Sequence, residues 1–321
     1  MANKRRKVGL TTYGFSIQND NNERIKLHDV LGFNFLDLIN QYCEDNKNIF
    51  TTNHADETVF SFENIEKNVV VDENNQELYT VLFARVKTGE FGLESEIVDS
   101  GTGIVSYKKK DKDAEVMPFG FAIFVPAGDV DNGIVILQSI GKNSIKIALH
   151  KRLDAYIKHI NKDFKLKMQV IVPRVVLDRL LSNGILQSIR LIRYGIPEEL
   201  ANRYGVNYGT QEIVEERVIR KPIGFIQNKA RELDEWRRGL RNYGDVIQID
   251  DYEYDDLKLE FKMGKNLKTL SMKNIDKLLI AEDISDNVKI INGHPNFEDL
   301  KGEMEAIGEF YMQAKGILVK G

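Results

Sequence analysis

Glu260 and Lys262, two apart in "LKLEFK" and preceded by Asp250, Asp251, Asp255 and Asp256, are the residues whose types and spacing come nearest to hydrolytic chemistry. Metal-dependent nucleases pair an Asp with a later Glu-x-Lys on adjacent strands; the carboxylates hold the cation and the lysine steadies the attacked phosphate. The same two side chains fall on the polar face of an alternating strand, where charge is expected without any catalysis. Metal binding of the structural kind has less behind it. The five histidines, His28, His54, His150, His159 and His294, and the single Cys43 make none of the paired spacings that zinc requires. "SGTGIVS" (100–106) has two glycines but neither the lysine of a phosphate-binding loop nor a following helix, and reads as a turn. No cofactor or metal is expected.

A second pair stands in "KIALHKRLDAYIKHI", where Arg152 and His159 are separated by six residues. It resembles the loose Arg–His pattern of the metal-independent HEPN ribonucleases. That resemblance implies a pair, drawn from two subunits, that activates a 2′-hydroxyl and steadies the phosphate. Leu153 departs from the pattern, because a polar residue usually follows the arginine, and the strand-rich surroundings differ from a helical HEPN bundle.

Charge is the most informative feature. Residues 1–141 carry a net −8, residues 142–241 a net +10 and residues 242–321 a net −6. Clustered Lys and Arg gain from counterion release on a phosphate backbone, so a basic centre is a candidate nucleic-acid surface. Its candidate contacts are Arg190 and Arg193 in "SIRLIRYG", Arg220 and Lys221 in "EERVIRKP", and Lys229, Arg237, Arg238 and Arg241 around Trp236. Arginine beside aromatic rings suits phosphate contact and base stacking. The competing reading is neutralisation within the fold, since Glu232, Asp234 and Glu235 lie at i,i+3 and i,i+4 spacing from Arg231 and Arg238.

The elements that must position these residues follow from periodicity. "ELYTVLFARVKTG" puts Tyr79, Val81, Phe83 and Arg85 on one face and Thr80, Leu82, Ala84 and Val86 on the other. Both faces are largely apolar, which predicts a central strand. "TVFSFENI" and "NVVVD" read as two further strands, and "FGFAIFVP" as a buried one stopped by Pro126. Ile145, Leu149, Leu153, Tyr156 and Ile160 predict a helix over 144–161 with Lys146, Lys151, Arg152 and Lys158 opposite. "PRVVLDRLLSNG" predicts a short helix, "NKARELDEWRRGLRNYG" another ending at Gly244, and "YDDLKLEFKMGKNLKTLSM" a hairpin. Asn296 caps a last helix with Leu300, Met304, Ile307, Phe310 and Tyr311 as its buried stripe.

The fold class expected is therefore α+β. A strand-rich mixed or antiparallel N-terminal sheet with a long packing helix precedes an alternating α/β region and a C-terminal hairpin plus helix. A boundary near 162 divides a first domain (1–162) from a second (163–321), whose basic segment runs to about 243; one continuous α+β domain is the alternative. The echo of "NGIVILQSI" (132–140) in "NGILQSI" (183–189) has different neighbours on each side and reads as two strands entered by one turn chemistry, not a repeat.

The texture of residues 78–193 resembles uncharacterised proteins of bacterial anti-phage defence loci. The resemblance implies a role in sensing or restricting phage. The expectation is a non-catalytic nucleic-acid-binding or regulatory subunit of such a system. A nuclease effector and a protein-interaction subunit of an oligomeric assembly are the alternatives. DNA or RNA, a second copy or a protein from the same locus are the expected partners. One cysteine, and no apolar run long enough for a signal peptide or membrane helix, predict a cytoplasmic protein without a membrane segment.

Overall fold

In the computed structural model the described residues are 7–141, 143–171, 181–182, 185–195, 198–206, 213–249, 252–263, 266–273 and 281–314. The helix expected from Pro173, the Asn183–Gly184 turn, Asp250 and Asp251 lie outside them. The chain divides into two compact units, one of residues 1–169 with 281–321 and one of residues 170–280. The first is discontinuous. A single cut near 162 assigns the C-terminal helix to the second domain, whereas that helix packs with the N-terminal sheet.

In the first unit the elements are β1 (Val8–Gln18), β2 (Arg24–Ile25), α1 (Phe35–Asp45), β3 (Thr51–Asn53), β4 (Thr58–Val71), β5 (Glu77–Glu90), β6 (Ser95–Val98), β7 (Val105–Lys109), β8 (Glu115–Pro126), β9 (Gly133–Ile140), β10 (Asn143–Ser144), α2 (Lys146–Ile160) and β11 (Lys165–Val170). The main sheet runs β11-β1-β9-β8-β5-β4-β3. β5 sits between β4 and β8, as its two apolar faces predict. The two strands expected over 58–72 are one, with a register shift between Glu63 and Glu66 that keeps both apolar stretches paired to β5. One cross-strand row runs Phe83–Ala122–Ile136–Thr12.

That row lies under the C-terminal helix (Phe297–Ala314). Asn296 caps it by accepting from the Glu298 and Asp299 N–H groups. Its buried stripe is Phe297, Leu300, Met304, Gly308, Tyr311 and Met312; Phe310 is exposed, a one-position rotation from the expected stripe. Helix and sheet approach closely because both surfaces carry glycine. A Cβ on Gly120 would stand 2.4 Å from the Leu300 side chain, and one on Gly308 would stand 2.5 Å from the Phe124 ring. The opposite face packs on α1, through Phe15 on Phe35 and Tyr42 on Phe62, and on α2, through Lys146 over Tyr13 and Arg152 over Phe60; Tyr42 of α1 stacks on Tyr156 of α2. β16 (Ala281–Asp283), which precedes the C-terminal helix, pairs with β1 over Gly9–Thr11.

The second unit is built on an antiparallel sheet of order β13-β12-β14-β15, with β12 at Ile185–Tyr194, β13 at Val214–Arg220, β14 at Asp256–Met263 and β15 at Asn266–Ser271. Alternation divides its side chains. Ile189, Leu191, Leu257, Leu259, Phe261 and Leu270 form a core with Leu233 and Trp236 from the helix Ala230–Arg237. That helix is shorter than its sequence predicts: Arg238 and Gly239 end it, Gly239 taking φ 73, and Gly244 belongs to a later turn. The fold class is mixed α+β, rich in strand, with a C-terminal helix. No helix among the described residues is long and apolar enough to cross a membrane.

Candidate nucleic-acid interface

The eight basic residues singled out by sequence do not form one patch. The +10 window crosses the unit boundary, and its first part, including α2, belongs to the first unit. Residues 170–280 hold 19 Lys and Arg against 17 Asp and Glu. Near-neutrality follows because residues 142–169, which carry a net +6 of that window, belong to the first unit.

Around the Ala230–Arg237 helix the pairing is dense. Asp234 takes both Arg237 and Arg238, the latter at 2.6 Å. Glu235 takes Arg231 at 2.8 Å and Arg241 at 2.7 Å, and Lys229 reaches Glu232 at 3.0 Å. Hydrogen bonds from Arg231 and Arg241 hold the Glu235 carboxyl below the usual carboxylate range, and Lys229 does the same for Glu232. Trp236 is core, its indole N–H donating to the Met272 carbonyl at 3.2 Å.

On the sheet, Arg190 and Arg193 point to opposite faces, as a spacing of three on a strand requires. Arg193 lies on the core side with its guanidinium 4.2 Å from the Tyr252 ring centroid, 3.5 Å from Glu215 and donating to the Glu253 carbonyl. Arg217 covers the same ring at 3.5 Å. Arg190 lies on the polar side, 3.3 Å from Glu216 and 3.2 Å from Glu260. Of the eight candidates, Arg220 and Lys221 alone have no carboxylate partner among the described residues.

Register puts Arg220, Ser188 and Glu260 in one cross-strand row, and Arg190 with Lys258 in the next. Lys262 is two residues beyond Glu260 and shares its face. Arg220, Lys258 and Lys262 thus stand on one side of the sheet without a carboxylate partner among the described residues, and Lys221 (φ 51) turns the chain at the end of β13. Lys258 is not singled out by sequence; the alternation Lys258-x-Glu260-x-Lys262 is the signal that marks it.

The nuclease pairs are placed but not assembled. Glu260 accepts from the Ser188 hydroxyl and faces Arg190, so its carboxylate is already engaged. Asp255 accepts from the Tyr194 N–H at 2.7 Å, and the buried Asp256 accepts from the Ser271 hydroxyl and the Lys273 N–H. No cluster of three or more His, Cys, Asp or Glu side chains positioned for a metal ion occurs among the described residues. Arg152 and His159 are two turns apart on α2, about 10 Å along the axis. Arg152 is half-buried over Phe60 while His159 is exposed. No protein-family model matches the chain, and neither does any curated protein.

Proposed function

We propose that this chain is a non-catalytic nucleic-acid-binding or regulatory subunit and, from the resemblance of residues 78–193, that it serves a bacterial anti-phage defence system. The observation that supports binding is the set Arg220, Lys258 and Lys262 on one face of the β13-β12-β14-β15 sheet, without carboxylate partners among the described residues, beside Lys221. On that face Arg190, Arg220, Lys258 and Lys262 stand against Glu216, Glu260 and the buried Asp256, so the balance of the described charges is positive. Such a surface tracks a phosphate backbone and reads no base edges. Fluorescence anisotropy with labelled single- and double-stranded DNA and RNA at low salt tests it. Weak, salt-sensitive binding without sequence preference is expected, and no binding at low salt would end the proposal.

A protein-interaction subunit is the second reading, favoured by the β6–β7 hairpin. This two-stranded sheet exposes Ile97, Val98, Val105 and Tyr107, and Ile104 is exposed in the turn that joins its strands. Isolated hairpins are marginal in water, so one that shows apolar side chains gains from a partner. A mass measurement giving a fixed oligomer without nucleic acid, lost in Ile97→Ser with Tyr107→Ser, is the result this reading requires.

A further inference from the structure

The first unit contains a cavity of about 410 Å³ beside α2, and Arg152 is the unusual residue in its wall. Its side chain is half-buried, yet no carboxylate answers it among the described residues. It donates to the Thr51 hydroxyl at 3.3 Å and the Thr51 carbonyl at 3.5 Å, meets the Tyr42 side chain, and lies over the Phe60 ring with 5.3 Å to the centroid. A guanidinium removed from bulk water gains most from an oxyanion that its donor fork can grip. The neighbouring cation is not equivalent, because Lys151 is bound to Asp56 at 2.6 Å. Thr58 lines the wall as well, and Ala155 opens one side of it.

We infer that this cavity is a binding site for a small molecule that presents one oxyanion, a carboxylate or a phosphate, to Arg152. The volume falls in the range of small-ligand pockets, about 300–1,000 Å³. Glu90 shapes the choice of ligand. It lines the same cavity and has no cationic partner among the described residues, so a second anionic group is disfavoured and an ammonium or amide donor is favoured at that end. The Arg152–His159 spacing therefore marks a ligand anchor, with His159 exposed on a different stretch of the helix. This site lies in the first unit and is independent of the charged sheet face of the second.

Isothermal titration of the full chain with inorganic phosphate, adenosine monophosphate, γ-aminobutyrate and glutarate tests the inference. The phosphate and carboxylate arms distinguish the two sources of the oxyanion, and the last pair tests the role of Glu90. At least one probe binds saturably at millimolar concentration or below, γ-aminobutyrate binds more tightly than glutarate, and Arg152→Gln weakens the bound probe at least tenfold. Ala155→Phe fills the cavity from an exposed helix position and leaves Arg152 in place; it abolishes the same binding even if the Arg152 variant fails to fold. No saturable binding of any probe to the wild type, or binding unchanged by Ala155→Phe, would overturn the inference.

Discussion

The two sheets of this protein differ in what occupies their faces. In the first unit β9, the Tyr79–Ala84 stretch of β5 and the Phe119–Pro126 stretch of β8 are buried on both faces, because helices cover both sides. In the second unit β12 and β14 bury one face around Trp236 and Phe261, and the other carries Arg190, Lys258, Glu260 and Lys262. A sheet filled on both sides leaves recognition to its rims and cavities, as at Arg152. A sheet with one charged face can offer that face itself. Number and availability of cations also part company. Residues 229–241 carry the denser cations in sequence, five Lys and Arg in 13 residues, but these already hold carboxylates.

The contrast is sharpest in stability. Phe124→Ala removes a ring buried between β8 and the C-terminal helix, and is expected to cost about 3–5 kcal/mol in urea unfolding. A cost below about 1 kcal/mol would mean that this face is not packed as described. Gly308→Val, which drives a side chain into the same ring, is expected to cost about 1–3 kcal/mol.

The second unit responds to acid in its own way. Glu232 and Glu235 titrate below their ordinary range, so the stability they contribute is complete above the ordinary Glu pKa of about 4.3 and is lost as pH falls through their lower folded values. Trp236, the chain's one tryptophan, lies in that core and reports it. Its fluorescence should show acid loosening below about pH 4.3 that is less steep in Glu235→Gln; an identical acid limb would mean that Glu235 takes no part in it. The smallest effect expected is Arg231→Ala, which removes an exposed pair open to solvent screening and should leave urea unfolding within error of wild type.

Local pattern made much of this legible in sequence. The double-faced β5, the 256–271 hairpin with Leu257, Leu259 and Phe261 inward, the Asn296 cap and the opposite facing of Arg190 and Arg193 all follow from period and capping chemistry. The Asp234–Arg238 and Glu235–Arg231 pairs were legible for the same reason, being one helical turn apart. What was not legible is which surface each element meets. Periodicity assigns the C-terminal helix a buried stripe but not the sheet it covers, so its return to the N-terminal unit through β16 and β1 left no local mark. Cross-strand register is equally silent in sequence. Arg190 meeting both Glu216 and Glu260, 26 and 70 residues away, depends on it. So does the grouping of Arg220 with Lys258 and Lys262.

The most direct test sets the paired cations against the unpaired ones. Anisotropy of a labelled single-stranded oligonucleotide, followed across a salt series, is compared for Arg220→Ala with Lys262→Ala and for Arg237→Ala with Arg238→Ala. The first pair should weaken binding and reduce the slope of log K against log salt by about 1.4, at roughly 0.7 for each phosphate left unneutralised. The second should leave slope and affinity within error of wild type. Loss of binding in the Arg237 and Arg238 variant with none in the Arg220 and Lys262 variant would contradict the assignment of the interface to the sheet face.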